Sequence, residues 1–187
     1  MTNYLSKTEF EALQQRLLAG NAGLTISKQV ARQFFNRVAN KAVVSITGES
    51  VLLKKLVLFS LYGASISLFL ASLGLVFIEF EWGAALAIPA LGIFWSILTV
   101  LTSDKGSHWI GHGGLLLSLA PIALLPGAYS YPIALVGMSI WIHRFIFSLS
   151  QFWLEQLVTN SYDAFDMMAE HIEIEDSQQS IPDEQLP

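Results

Sequence analysis

Hydrophobic and polar positions divide the chain into three stretches: 1–53 polar with apolar residues at helical spacing, 54–153 dominated by apolar runs, and 154–187 acidic. Two of the runs, 56–78 and 82–103, hold no charged residue. A bilayer core of ~30 Å is crossed by about 20 apolar residues in helical form, so each run is long enough. The pattern predicts four membrane spans, at about 56–78, 82–101, 109–125 and 131–153. In the third, only Leu115 to Leu125 is strongly apolar and Pro121 interrupts it, so a re-entrant hairpin competes with a full crossing there.

The first stretch reads as two helices. Ser6 with Glu9, and Thr8 with Glu11, both match a capping box, in which hydroxyl and carboxylate satisfy each other's free backbone donors. Phe10, Leu13, Leu17 and Leu18 then form an apolar stripe that stops before Gly20, a natural helix terminator. A second helix is expected from about Ser27 to Ala42, with Val30, Phe34, Phe35 and Val38 on one face. Lys28, Arg32, Arg37 and Lys41 lie largely off that stripe, as a basic surface for lipid or a partner protein. Past the last span, Leu154, Val158, Phe165, Met168 and Ile172 keep helical spacing, which predicts an acidic cytoplasmic helix; from Asp176 the composition suits a flexible tail. The fold class expected is all-α. It is a polytopic membrane protein with a four-helix transmembrane bundle, amphipathic cytoplasmic N-terminal helices and an acidic C-terminal helix.

Charge fixes the expected orientation. Only 13% of the 187 residues are charged, about half the ~25% typical of soluble domains. Eight of the ten basic residues precede the first span, and Lys105 lies between spans two and three. With four spans, every Lys falls on the side of the N-terminus, which the positive-inside rule makes the cytoplasm. Residues 154–187 contain nine carboxylates and no Lys or Arg, and return to that same side. A cationic helix and an acidic one on one membrane face can dock on each other, within or between subunits. No secretory leader opens the sequence, so insertion is expected to begin at the internal run after Lys54 and Lys55. The absence of cysteine removes disulfides, thiolate metal sites, cysteine nucleophiles and palmitoylation.

Candidate chemistry concentrates where spans three and four meet. Folding them into a hairpin about Gly127 puts His112 fifteen residues before the turn and His143 sixteen after it. At ~1.5 Å per residue both imidazoles then lie roughly 23 Å from the turn. Arg144 shares that level, and His108 sits about one helical turn closer to the cytoplasm. His108, His112, His143 and Arg144 therefore form a candidate intramembrane polar cluster. It has three readings: haem or a transition metal held between opposed histidines; an ion or proton path, because ionisable groups inside membranes are usually functional; or an interfacial collar in which Arg144 snorkels to the cytoplasmic surface. The sequence favours the collar, and no cofactor is expected.

A second pattern is a seam of small residues on the first span, Gly63, Ser67, Ala71 and Gly74, of the kind that packs helices closely within one chain or between subunits. The serines within the spans, Ser65 and Ser72 among them, have no paired base and read as packing hydroxyls. Enzyme signatures are missing: no phosphate-cradling glycine loop, no nucleophile elbow, and HWIGH lacks the glutamate of a zinc peptidase. The two N-terminal helices, joined by GNAGLT, have the outline of a helix-turn-helix. That joint is longer than the usual turn of about 3–4 residues, and Phe34–Phe35 suit a buried face, so no nucleic-acid partner is expected. The expectation is a non-enzymatic membrane protein of the bacterial inner membrane, working by assembly in a homo- or hetero-oligomer through its cytoplasmic helices. Secretion, conjugation, exclusion and immunity complexes have accessory subunits of this size and topology. A homo-oligomeric channel or transporter using the His/Arg cluster is the alternative, and a haem or metal redox protein the third.

Overall fold

The computed structural model describes residues 5–80, 83–100, 116, 119–120 and 122–176. It is mostly helical and divides into two compact units, Met1–Leu53 with Ser150–Pro187, and Lys54–Leu149. The elements are α1 (Lys7–Leu18), β1 (Ala22–Ile26), α2 (Lys28–Arg37), α3 (Asn40–Thr47), α4 (Leu52–Phe80), α5 (Ala84–Val100), α6 (Gly127–Asn160), α7 (Tyr162–Met168), a 3₁₀ turn Ala169–His171 and β2 (Ile172–Asp176).

The unit made from both chain ends is built on sequence-distant pairs. Of the two capping boxes the sequence offers, the structure uses Ser6: its backbone N–H donates to Glu9 Oε2 at 2.7 Å while Glu9 N–H returns to Ser6 Oγ at 3.4 Å. Ser6 Oγ also donates to Glu9 Oε2 at 2.6 Å, and that bond foremost, with the one from Ser6 N–H, holds the Glu9 carboxyl below its ordinary range. Phe10 then meets Tyr162 and Phe165 at ring-centroid distances of 5.6 and 5.1 Å. Gln14 Nε2 donates to Thr159 O at 2.9 Å, and Tyr162 Oη to Leu5 O at 3.0 Å. The apolar positions Phe10, Leu13, Leu154, Val158, Phe165, Met168 and Ile172 are all buried, as their spacing predicts, whereas Leu18 is exposed.

Three expectations change in this unit. The segment joining the first two helices contains a strand, β1, which pairs antiparallel with β2 in the register Ala22↔Asp176, Leu24↔Ile174 and Ile26↔Ile172. The acidic C-terminal helix accordingly ends at Met168, and Ile172 is buried from a strand, since Ile172 and Ile174 alternate with Glu173 and Glu175. The second N-terminal helix is broken: Val38 and Ala39 adopt extended backbone, so Lys28, Arg32 and Arg37 lie on α2 and Lys41 on α3. Asn40 Oδ1 explains the corner that follows. It accepts from Val51 N at 2.9 Å and Ser50 Oγ at 3.3 Å, closing a loop that Gly48 turns through a left-handed φ of 74°.

Of the other helices, α4 and α6, with 29 and 34 residues, are long and apolar enough to cross a membrane, each holding an 18-residue stretch of mean hydropathy 2.0 and 1.5 respectively. At ~1.5 Å per residue α4 spans about 44 Å, beyond the ~30 Å of a bilayer core. The 17 residues of α5 are apolar and contain Pro89; alone they reach only about 26 Å. Most of the expected third span lies outside the described residues. The turn before α6 is tighter than the sequence suggested. Helix begins at Gly127, and Pro126 O accepts from the N–H groups of Tyr129 and Ser130 at 3.0 and 3.1 Å.

Candidate functional site

The unit of residues 54–149 is organised around a seam in which every seventh residue of α4 turns inward. Leu58, Ser65 and Ser72 are all buried, and a strict seven-residue spacing keeps one stripe of a helix against its partner. On α6 the buried positions Pro132, Val136, Ser139, His143 and Ile146 alternate four and three apart. Ser65 bonds at Ser139 and Ser72 at Pro132. A step of seven forward on α4 is thus a step of seven backward on α6, and the two helices pack antiparallel.

Serine supplies the polar chemistry of this seam because a short hydroxyl can reach a carbonyl on a close neighbouring helix. Ser65 Oγ donates to Ser139 O at 2.9 Å, and Ser139 Oγ donates back to Ser65 O at 2.6 Å. Each hydroxyl proton is thereby spent on the other helix's backbone. The lone pairs of Ser139 Oγ accept the indole N–H of Trp95, on α5, at 2.9 Å. Trp95 stacks on Phe69 of α4 with centroids 4.7 Å apart, so this indole joins all three helices. Seven residues along α4, Ser72 Oγ donates to Pro132 O at 2.9 Å.

One turn beyond Ser139, His143 is 5% exposed and surrounded by rings, with centroids of Tyr62, Trp95 and Phe147 at 5.4, 5.7 and 5.7 Å. Its position is fixed by the same α4–α5–α6 packing that holds the serine pair. Arg144, next along α6, is half-buried. Its Nε is buried and has no hydrogen-bond partner among the described residues. His108 and His112 lie outside the described residues, so the expected four-residue cluster is represented here by His143 and Arg144. Among the described residues no group of three or more His, Asp or Glu is close enough to hold a metal ion.

The small-residue seam falls on a different face from the packing one. Gly63, Ser67, Ala71 and Gly74 are exposed, and a Cβ built on Gly63 or Gly74 meets nothing within 4 Å. Among the described residues, then, it is Ser65 and Ser72 that bond α4 to α6. The physical reason is that an inward serine here gains a carbonyl partner, whereas an inward glycine gains only proximity. The residues that sequence reasoning missed are Ser139, Trp95 and Tyr62; the heptad spacing of Leu58, Ser65 and Ser72 was the available signal.

In the unit built from the chain ends, Lys28 and Arg32 are half-buried, while Arg37 and Lys41 are exposed. Trp153 packs edge-on against Phe35 of α2 at 6.3 Å. Glu155, two residues beyond the expected end of the fourth span, accepts from Ile26 N–H at 3.1 Å and Gln151 Nε2 at 2.9 Å. Burial pushes its pKa above the ordinary value, against the opposing pull of those two bonds. Comparison with protein-family models, with curated proteins and with solved structures returns no match.

Proposed function

We propose that this chain is an integral membrane protein without catalytic machinery, acting by assembly as a subunit or accessory factor of a larger complex in the bacterial inner membrane. In this reading its four spans are residues 56–78, 82–101, 109–125 and 131–153. The ends of the chain, folded together, form a cytoplasmic contact domain. One observation carries the proposal. The Ser65 and Ser139 hydroxyls and the Trp95 indole N–H are spent on bonds that join α4, α5 and α6, while α4 leaves a row of small residues exposed.

Gly63, Ser67 and Ala71 recur every four residues on that outward face, flanked by exposed Phe59, Leu70 and Phe77. Small residues at this interval let a second helix approach closely in lipid, where van der Waals contact replaces hydrophobic burial as the driving force. The test is mass determination of the complex extracted in mild detergent, for the wild type and for Gly63→Leu with Ala71→Leu. A species heavier than the 20.6 kDa monomer that the double substitution dissociates supports assembly through this face. A strictly monomeric wild type contradicts it.

A channel or transporter is the second reading, favoured by one feature, Arg144 adjoining the buried His143 on α6. Ion flux through liposomes holding only this chain, lost in Arg144→Ala, would establish it over the accessory-subunit reading. A haem protein would instead show a Soret band that disappears in His143→Ala.

A further inference from the structure

We propose that the corner formed by α3 and the start of α4 is a binding surface for anionic phospholipid headgroups. The proposal rests on the reading that α4 enters a bilayer, and adds a specific ligand at its entrance. Three features within one compact unit lead to it. Asn40 bonds Val51 N–H and Ser50 Oγ, so the first residue of α3 is tied to the residue preceding α4. Lys41 and Leu52, the residues that follow Asn40 and Val51, are thereby brought to the same corner.

The second feature is a division of α3 between two faces. Val43 is 1% exposed and α3 packs against α7. Lys41, Val44 and Ser45, at helical spacing on another face, are exposed. The third is uncovered apolar surface beside that charge: Val44, Leu52 and Leu53 are 39, 53 and 73% exposed. Arg37, in the last turn of α2, adds a second exposed cation three residues before Asn40. Cations flanking exposed aliphatic groups match a headgroup layer, where phosphates take the charge and the acyl boundary takes the leucines. A soluble acidic protein or a nucleic acid would satisfy Arg37 and Lys41 but leave Leu52 and Leu53 without a complement. Continuity supplies the last argument, since α4 runs from Leu52 through Lys54 and Lys55 straight into its charge-free segment.

The chain has no cysteine, so Val44→Cys carrying an environment-sensitive fluorophore reports on this corner alone, and Leu18→Cys, 80% exposed on α1, serves as the control. Each labelled full-length protein is reconstituted into phosphatidylcholine vesicles and into vesicles of equal parts phosphatidylcholine and phosphatidylglycerol. The expected result is a blue-shifted, quencher-protected Val44→Cys signal in the anionic vesicles only, reversed by high salt, with the Leu18→Cys signal unchanged. Adding Arg37→Gln or Lys41→Gln lowers the docked-to-undocked ratio about fivefold for each cation removed. A label that stays aqueous in both vesicles overturns the proposal. So does an equal shift in both, which is apolar contact without headgroup recognition, or a shift seen only when a soluble polyanion is added. Failure of the protein to enter either vesicle sinks the membrane reading itself, and this inference with it; normal insertion with a silent label sinks the inference alone.

Discussion

Replacing Ser139 with alanine removes the node where α4, α5 and α6 meet, and the structure sets the size of the effect. Two bonds disappear: Ser139 Oγ to Ser65 O at 2.6 Å and Trp95 Nε1 to Ser139 Oγ at 2.9 Å. The bond from Ser65 Oγ to the Ser139 carbonyl survives, because its acceptor is backbone. Side-chain hydrogen bonds between membrane helices contribute ~0.6 kcal/mol on average and at most ~1.7, so two are worth about 1.2 kcal/mol. The stranded indole N–H adds a desolvation cost, and an unpaired buried donor alone is worth ~1–3 kcal/mol. Alanine also favours helix over serine by up to ~0.7 kcal/mol, which the exposed Ser67→Ala on α4 measures separately. Relative to Ser67→Ala, Ser139→Ala should therefore destabilise by about 2–4 kcal/mol. Ser65→Ala, which loses only its own donated bond to Ser139 O, should fall between the two. Reversible unfolding in mixed micelles of mild detergent and dodecyl sulfate, followed by tryptophan emission, gives these values. Equal stability of Ser139→Ala and Ser67→Ala, within ~0.5 kcal/mol, would refute the hydrogen-bonded seam.

Two further outcomes concern the unit built from the chain ends. Phe165 is 1% exposed and touches the Phe10 ring; Phe165→Ala should cost ~3–5 kcal/mol, seen as faster proteolytic cleavage within residues 7–47 of the reconstituted protein, and an unchanged rate would contradict the packing of α1 on α7. Glu155 has its pKa raised by burial, so the folded state holds a proton more tightly than the unfolded chain does. Its contribution is then complete below the ordinary value of 4.5 and is lost as pH rises through the raised value. The stability of the wild type relative to Glu155→Gln should fall as pH rises from about 4.5 toward neutrality, and a difference independent of pH would overturn the assignment.

Much of the architecture is legible in the sequence. The charge-free run 56–78 locates α4, the apolar stretch 131–153 locates the greater part of α6, and the Ser6–Glu9 box marks the start of α1. The stripe from Leu154 to Met168 identifies what is buried in the unit built from the chain ends. Where the sequence misleads, a long-range interaction decides the outcome. Ala22–Ile26 and Ile172–Asp176 are each five residues long, and neither can be a stable sheet until the other arrives from the opposite end of the chain. The alternation Ile172, Glu173, Ile174, Glu175 carried the strand signal, but Ile172 also fitted the preceding helical period. The break at Val38–Ala39 has no proline or glycine to announce it; it is fixed by Asn40 holding the chain near Val51.

Among the described residues the buried face of α4 is not the one that residue size marks, for a related reason. Glycine and alanine at four-residue intervals mark a face that can pack closely, whereas the inward face depends on which hydroxyls find carbonyls across the interface. Ser139 and the carbonyl of Pro132 lie more than fifty residues from their partners on α4, so no local pattern displays them. The spacing of Leu58, Ser65 and Ser72 by sevens does display the face, once period is weighed above residue size.

The central claim is that the two ends of one chain form a single folded unit with a defined strand register. Antiparallel partners lie ~4.5–5.5 Å apart from Cα to Cα, within the ~4.4–6.8 Å that a disulfide accepts, and the natural chain contributes no cysteine to confuse the result. Thr25→Cys with Glu173→Cys places two thiols at a paired position on the outer face. Mild oxidation of the membrane-embedded protein should close an intramolecular disulfide that speeds its migration on a denaturing gel. The pairing Thr25→Cys with Glu170→Cys, outside the sheet, should remain open. Absence of the first cross-link, or its appearance only between two chains, would contradict the fold described here.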